Sequence, residues 1–360
     1  MAAGTWSEDL GTELPRRVDT IYLGGGTPSL LEPELVTRLF AAIRAEFAVD
    51  PDAEITMECA PGQLADATLE AMTTCGVNRV SLGVQSFVDA EARASGRLHN
   101  RAIVEDDLRR LRAAGIGNLN IDLIAGLAHQ TLASWEESLA VLVDAGAPHA
   151  SVYMLEVDED SRLGRELLDG GARYGAGLVP GDDAIARMYE RAVERLAGAG
   201  RERALAQYEI SNFSRPGGES RHNMRYWQRR PYLGLGLDAS SALRAAASSP
   251  EEMPWLLRAT TCDDLKAYLA GPQPAETAWL SPERQHEEAW FLGLRLNAGV
   301  STAALEREFG SALVAPALET AKRLASDGLL TLDAGTVRLT ERGRLLSNDV
   351  FQEFLAASLA

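Results

Sequence analysis

The 360-residue sequence is poor in cysteine, in positive charge and in long apolar runs. Its three cysteines, Cys59, Cys75 and Cys262, lie far apart. An odd number at that spacing argues against a disulfide framework and shows no metal-ligand pattern. Each is expected as a small buried or half-buried residue, and only Cys59 lies near a candidate site. The formal net charge of −17 argues against a nucleic-acid partner, because phosphate binding needs a basic face. A local basic run from Arg225 to Arg230 exists but is short. No apolar run reaches the length of a membrane span. The opening residues, MAAGTWSEDLGTELPRR, lack the hydrophobic segment of a secretory signal, so a cytoplasmic protein is expected.

The most informative stretch is VDTIYLGGGTPSL, residues 18–30. The apolar Ile21, Tyr22 and Leu23 read as a strand that runs into Gly24, Gly25, Gly26, Thr27 and Pro28. Successive glycines bare the backbone to an approaching ligand. A tight strand-to-helix turn is the plainer alternative. Pro33 suits the first turn of the helix that follows.

Strand patterns recur at 20–23, 54–58, 79–84, 119–124, 151–155 and 206–210. Helical patterns fill 34–47, 64–74, 102–114, 132–145 and 183–199. Gly76, Gly115 and Gly146 stand where helices should end. This alternation predicts an α/β fold with a parallel sheet, open or curled into a barrel. Residues 158–181 read as a surface excursion. Composition shifts near 271–281, and three helices with a hairpin around Asp333, Ala334 and Gly335 then outline a winged helix. The acidic balance makes packing or a lid, rather than DNA binding, its expected role.

Polar residues gather near the C-terminal ends of the strands: Glu58, Gln85 with Ser86, Asp122, and Gln207 with Glu209. A carboxylate or amide in an apolar strand is costly unless paired or used, and several at one end favour a shared site. His222, Tyr226 and Trp227 in HNMRYW could bind a flat ligand or a metal, or simply pack a loop.

Taken in order, GGGTPSLL, ECAPG, GVNRVSLGVQSF, GRLH, NIDLIAGL and HNMRYW resemble the radical S-adenosylmethionine (SAM) proteins related to oxygen-independent coproporphyrinogen III oxidase. HNMRYW and the plain tail resemble the heme chaperone HemW branch more than the oxidase. The resemblance implies a partial (β/α) barrel of the radical SAM type over 1–272, with its first β-α unit missing, and a winged-helix-like C-terminal domain over 273–360. It implies that Gly25, Gly26, Thr27, Glu58, Gln85, Arg97 and Asp122 contact SAM, and that His222 contacts heme. The implied cofactors are SAM, heme and a [4Fe–4S] cluster. The implied partners are heme or a porphyrin, a heme-accepting respiratory protein and a peripheral membrane contact.

The family's cluster sits on a CxxxCxxC loop upstream of GGGTP, and the residues before Gly24 hold no cysteine. Cys59 stands where the family usually has Asn. The expectation is therefore a truncated heme chaperone without its own cluster ligands. A natural loss of the cluster and ligands supplied by another chain are the other accounts. Competing functions are a coproporphyrinogen oxidase-like enzyme of porphyrin biosynthesis and a cluster-free heme-binding module. The first strand is expected to form an open sheet edge.

Overall fold

In the computed structural model, residues 11–12, 14–156, 165–166, 175–200, 202–245, 254–271 and 274–356 are described. The chain divides into two units, one of residues 19–45 and 49–220, the other of residues 1–18, 46–48 and 221–360.

The first unit is built on the β-α alternation. Its elements run β1 (Arg17–Leu23), α1 (Pro33–Glu46), β2 (Ala48–Cys59), α2 (Asp66–Thr74), β3 (Arg79–Gln85), α3 (Asp89–Ala94), α4 (Arg101–Ala113), β4 (Asn118–Ala125), α5 (Leu132–Ala145), β5 (His149–Met154), α6 (Asp182–Ala197), β6 (Ala206–Gln207) and β7 (Asn212–Ser214). The strands form one sheet in the order β1-β2-β3-β4-β5-β7-β6. Strands β2 to β5 pair in parallel. As expected, β1 is an edge strand among the described residues.

Local chemistry sets the element ends. Asn100 caps α4 by accepting from the Ile103 N–H at 3.1 Å. Thr131 and Ser134 form a reciprocal capping box on α5, and Gly146 ends that helix at φ +64°. Helix α6 packs on α5, where the buried Trp135 Nε1 donates to the Met188 carbonyl at 2.7 Å. Fully burying an indole requires such a partner.

The sheet is mixed, not all parallel, and the sixth strand is the point of departure. Only Ala206 and Gln207 are extended there. The Glu209 carboxylate accepts from the Ser211 N–H at 3.0 Å and from the Asn212 amide. The Tyr208 N–H donates to the Asn212 carbonyl at 3.0 Å. These bonds close a turn, so β7 runs antiparallel to both β5 and β6. Glu209 and Gln207 thus hold a chain reversal; Gln207 Nε2 donates to the Ile210 carbonyl at 2.9 Å. Most of the expected excursion at 158–181 lies outside the described residues, apart from a 3₁₀ turn at Ala176–Leu178.

The second unit contains α7 (Arg221–Trp227), β8 (Ser240–Arg244), β9 (Leu256–Thr261), α8 (Leu265–Ala270), β10 (Pro274–Leu280), α9 (Pro282–Leu294), β11 (Val300–Ser301), α10 (Thr302–Phe309), α11 (Ser311–Ser326), β12 (Leu330–Asp333), β13 (Thr336–Leu339), α12 (Glu341–Leu345) and α13 (Ser347–Ala356). Strands β10, β9 and β8 make an antiparallel sheet that the sequence reading missed. The segments LLRATT and PAETAWL have few β-branched residues and no clean alternation. The expected hairpin is present: Asp333 pairs with Thr336 across Ala334 at φ +47° and Gly335 at φ +78°. Two left-handed residues define the mirror-image turn that matches strand twist. Strand β11 adds to β13. Trp290 stacks on Phe354 with centroids 4.8 Å apart at 10°, both buried in the core beneath the helices. Among the described residues, no helix is long and apolar enough to cross a membrane.

Candidate functional site

The chain enters the site on β1. Tyr22 donates its hydroxyl to Glu58 Oε1 at 2.9 Å, joining β1 to the end of β2. The Gly25 N–H also donates to the Glu58 carboxylate. A Cβ on Gly24 would lie 2.9 Å from Glu58 Oε1, so only glycine lets this carboxylate sit against the backbone. Gly25 at φ +77° and Gly26 at φ +134° occupy conformations suited to glycine, and a Cβ on either would meet nothing within 4 Å. The loop is thus a bare, open piece of backbone. Thr27 leads into the 3₁₀ turn Pro28–Leu30 without capping it through its side chain.

Glu58 is half-buried, and burial pushes its carboxyl above the usual range. The bonds from Tyr22 and Gly25 oppose that shift, and nearby Asp122 adds to it. Burial and the Glu58 charge also push the Tyr22 phenol up, so it stays a donor.

Gln85 ends β3 at φ +69°, an uncommon conformation for a residue other than glycine. Its Oε1 is buried and accepts no hydrogen bond. A Cβ on Gly83 would lie 3.4 Å from Gln85 Nε2 and 3.7 Å from both terminal nitrogens of Arg97. Gly83 therefore makes room for these two side chains to converge. Backbone strain with an unmet acceptor at a strand end marks a place shaped for a ligand.

Asp122 stands on β4. Its Oδ1 accepts from Asn120 Nδ2 at 2.7 Å and its Oδ2 from Ser81 Oγ at 3.1 Å. Burial pushes its carboxyl up, while bonds from Ser151, Asn120 and Ser81 and the Arg79 charge oppose the rise. Sequence reading singled out Asp122 and missed its supports. The signal was the spacing of Asn118, Asn120 and Asp122, alternate residues on one face of a strand. Tyr22 was likewise read only as part of an apolar run.

The expected SAM residues from Gly25 to Asp122 all lie in the first unit, whereas His222 lies in the second. On α7, His222 Nε2 bonds the Tyr226 hydroxyl at 2.8 Å, and their rings meet edge-on at 5.1 Å. Tyr226 also meets Tyr232 edge-on at 4.7 Å. Burial pushes its phenol up to about 12. Arg295 lies 4.3 Å above the Trp227 ring.

The thiols do not make a metal site. Cys59 and Cys75 are buried and Cys262 lies in the other unit. Burial pushes the Cys59 thiol up to about 12, away from the thiolate that ligates iron. Among the described residues, no group of three or more His, Cys, Asp or Glu could hold a metal ion. A [4Fe–4S] cluster therefore does not fit these cysteines.

A mixed β-α sheet, parallel from β2 to β5, with a glycine-rich loop after β1, is the frame that comparison with known proteins places among the radical SAM proteins. The Radical SAM superfamily model matches residues 8–142, and that of the HemN C-terminal domain matches residues 280–346. The fold is similar to coproporphyrinogen III oxidase (HemN) of Escherichia coli, with a TM-score of 0.77, 22% identity and coverage of 94% of this chain and 78% of that one. Among curated relatives, the heme chaperone HemW of Lactococcus lactis subsp. lactis is 33% identical over 342 residues, 94% of this chain and 85% of that protein. HemW of Bacillus subtilis is 33% identical over 342 residues, 93% and 85% of the two chains. The chain belongs to the HemW heme-chaperone family of radical SAM proteins.

Proposed function

We propose that this chain binds SAM at the ends of β1 to β4 and carries heme for delivery to an acceptor protein. The observations that carry the SAM half are the open Gly25–Gly26 backbone after β1 and, at the end of β3, a Gln85 oxygen with no donor among the described residues. Carbonyls of Gly25 and Gly26 and the Thr27 side chain are suited to the amino-acid end of SAM. Glu58 and Asp122 can accept from its ammonium or ribose hydroxyls, and Arg97 can pair with its carboxylate. When bound, SAM supplies a sulfonium-activated adenosyl group. The residues described here bind and orient it. The three thiols of this sequence do not fit a cluster, so the proposal assigns these residues to binding.

The heme half rests on family membership and on the His222–Tyr226 pair, a basic nitrogen and a phenol one helical turn apart. His222 is the proposed iron contact. The relatives' names support heme as the cargo; a heme-accepting respiratory protein, a peripheral membrane contact and a cytoplasmic location are further parts of the proposal.

Heme titration at micromolar concentration tests the reading, with an absorbance band growing to one equivalent as the expected result. His222→Ala should weaken or alter that band. No band in the native chain overturns the heme reading. An unaltered band in the variant removes His222 from it. Calorimetry with SAM tests the other half, and the absence of heat at millimolar SAM overturns it. Anaerobic iron and sulfide should give no stoichiometric cluster. Turnover of coproporphyrinogen would favour the enzymatic alternative.

A further inference from the structure

The first unit holds a buried histidine that neither half of the proposed function uses. His149 opens β5 and is wholly buried. Ser81, Asn120 and His149 stand in register across β3, β4 and β5. His149 Nδ1 lies 2.6 Å from Asn120 Oδ1, and His149 Nε2 lies 2.9 Å from the Tyr208 hydroxyl. The Tyr208 oxygen also accepts the Ser220 N–H at 3.2 Å.

The direction of each bond follows from what each atom can do. Asn120 Nδ2 lies 2.7 Å from both Asp122 Oδ1 and Ser81 Oγ, and since the Ser81 hydroxyl donates to Asp122, a flipped amide would set an oxygen against two acceptors. The Asn120 oxygen therefore faces His149, so Nδ1 of the imidazole is the donor. Burial and the nearby Arg79 charge hold His149 neutral. A neutral imidazole has one donor, so Nε2 accepts from the Tyr208 hydroxyl. The line runs without a break: Ser220 N–H to Tyr208, Tyr208 O–H to His149, His149 N–H to Asn120, Asn120 N–H to Asp122.

We infer that His149 is a positioning residue, which through its Nδ1–H bond to Asn120 fixes the carboxylate of Asp122 for its ligand. The inference rests on the reading of Asp122 as a SAM contact. His149 touches no ligand itself. Together with the Ser81 and Ser151 hydroxyls, it holds the Asn120 amide in place, acting from the oxygen side, and so keeps a donor aimed at Asp122.

The side-chain chemistry gives a sharp test. The amide nitrogen of Asn at position 149 overlays imidazole Nδ1, whereas that of Gln overlays Nε2. SAM affinity of the full chain is measured by calorimetry for the native protein, His149→Asn, His149→Gln and His149→Leu. The expected loss is about tenfold for Leu and for Gln, with Asn within about threefold of native. Equal affinities for the Asn and Gln variants overturn the inference, as does a native affinity in the Leu variant. A thermal melt checks folding; where the Leu variant does not fold, the contrast of Asn with Gln decides.

A second readout needs no SAM. The Asp122 carboxyl is followed by carbon NMR as it titrates, with the facing groups Tyr22, Glu58, Arg79 and Tyr153 unaltered. Its midpoint should rise in the Gln and Leu variants and stay in place in the Asn variant. Identical midpoints in all four proteins overturn the inference. Titration as expected without SAM binding would instead overturn the SAM reading and leave the relay standing.

Discussion

Two polar layers of the same sheet are finished differently. Around Asn120, the side chains of Ser81, His149, Ser151 and Asn212 bond one another across four strands. At the strand ends, Gly25 and Gly26 face open space and the Gln85 oxygen has no donor. The bonds around Asn120 pass from strand to strand and hold Asp122 in place. The outer layer holds Gln85 at φ +69° and leaves its oxygen without a donor among the described residues, which is why the proposed ligand is placed there. A polar residue in a strand thus says little about role until its bonds have been followed to their ends.

The largest effect is expected where the layer around Asn120 is cut. Asn120→Leu strands the donors and acceptors of Ser81, Asp122, His149 and Ser151, and should cost about 3 kcal/mol in urea unfolding. A loss below about 1 kcal/mol would mean that these bonds do not hold the layer together.

Acid should open the same layer. His149 is neutral in the fold and ordinary when unfolded, so below the usual imidazole range the unfolded chain binds the extra proton. Stability should fall as pH drops through that range, by up to about 1.4 kcal/mol per pH unit from this residue. His99 and His286, also lowered by burial, act in the same direction. Unfolding free energies between pH 5 and 7 should therefore flatten partly, not wholly, in His149→Asn.

The outer layer should respond in the opposite sense. Gln85→Gly releases the left-handed strain and should raise stability by about 1 kcal/mol while weakening SAM binding several-fold. A variant that gains stability and keeps its affinity would remove Gln85 from the site.

The smallest effect is expected from Tyr22→Phe. The Tyr22 bond holds the Glu58 carboxyl down against burial, so its loss lets that pKa rise further. SAM affinity should fall by about threefold relative to native as pH drops from 8 to 6, with little change in melting temperature.

The sequence showed the β-α alternation because its elements carry local signals: period, caps and glycines at helix ends. It showed an open glycine loop after β1 because three glycines in a row bare the backbone. It did not show the reversal at Glu209, since nothing in AQYEI separates a strand from a strand followed by a turn. The β8–β9–β10 sheet was hidden by weak strand composition. Of the supports of Asp122, Asn120 is legible two residues away on the same strand, whereas Ser81 on β3 and Ser151 on β5 are brought to it only by the register of the strands. Gln85 could be picked by position, but its strain is a property of the backbone alone.

The two units also differ in how they are threaded. Apart from residues 46–48, the sheet unit is one continuous stretch ending at Ser220, and β2 to β5 join in the order in which they occur in the chain. The other unit closes over a long interval, with Thr12 bridging Ala245. During synthesis the sheet can therefore assemble strand by strand as it leaves the ribosome, while the segment around Thr12 waits for a partner not yet made. Chain order thus puts the strand ends around Gly25, Gln85 and Asp122 in place before the unit that carries His222 can close.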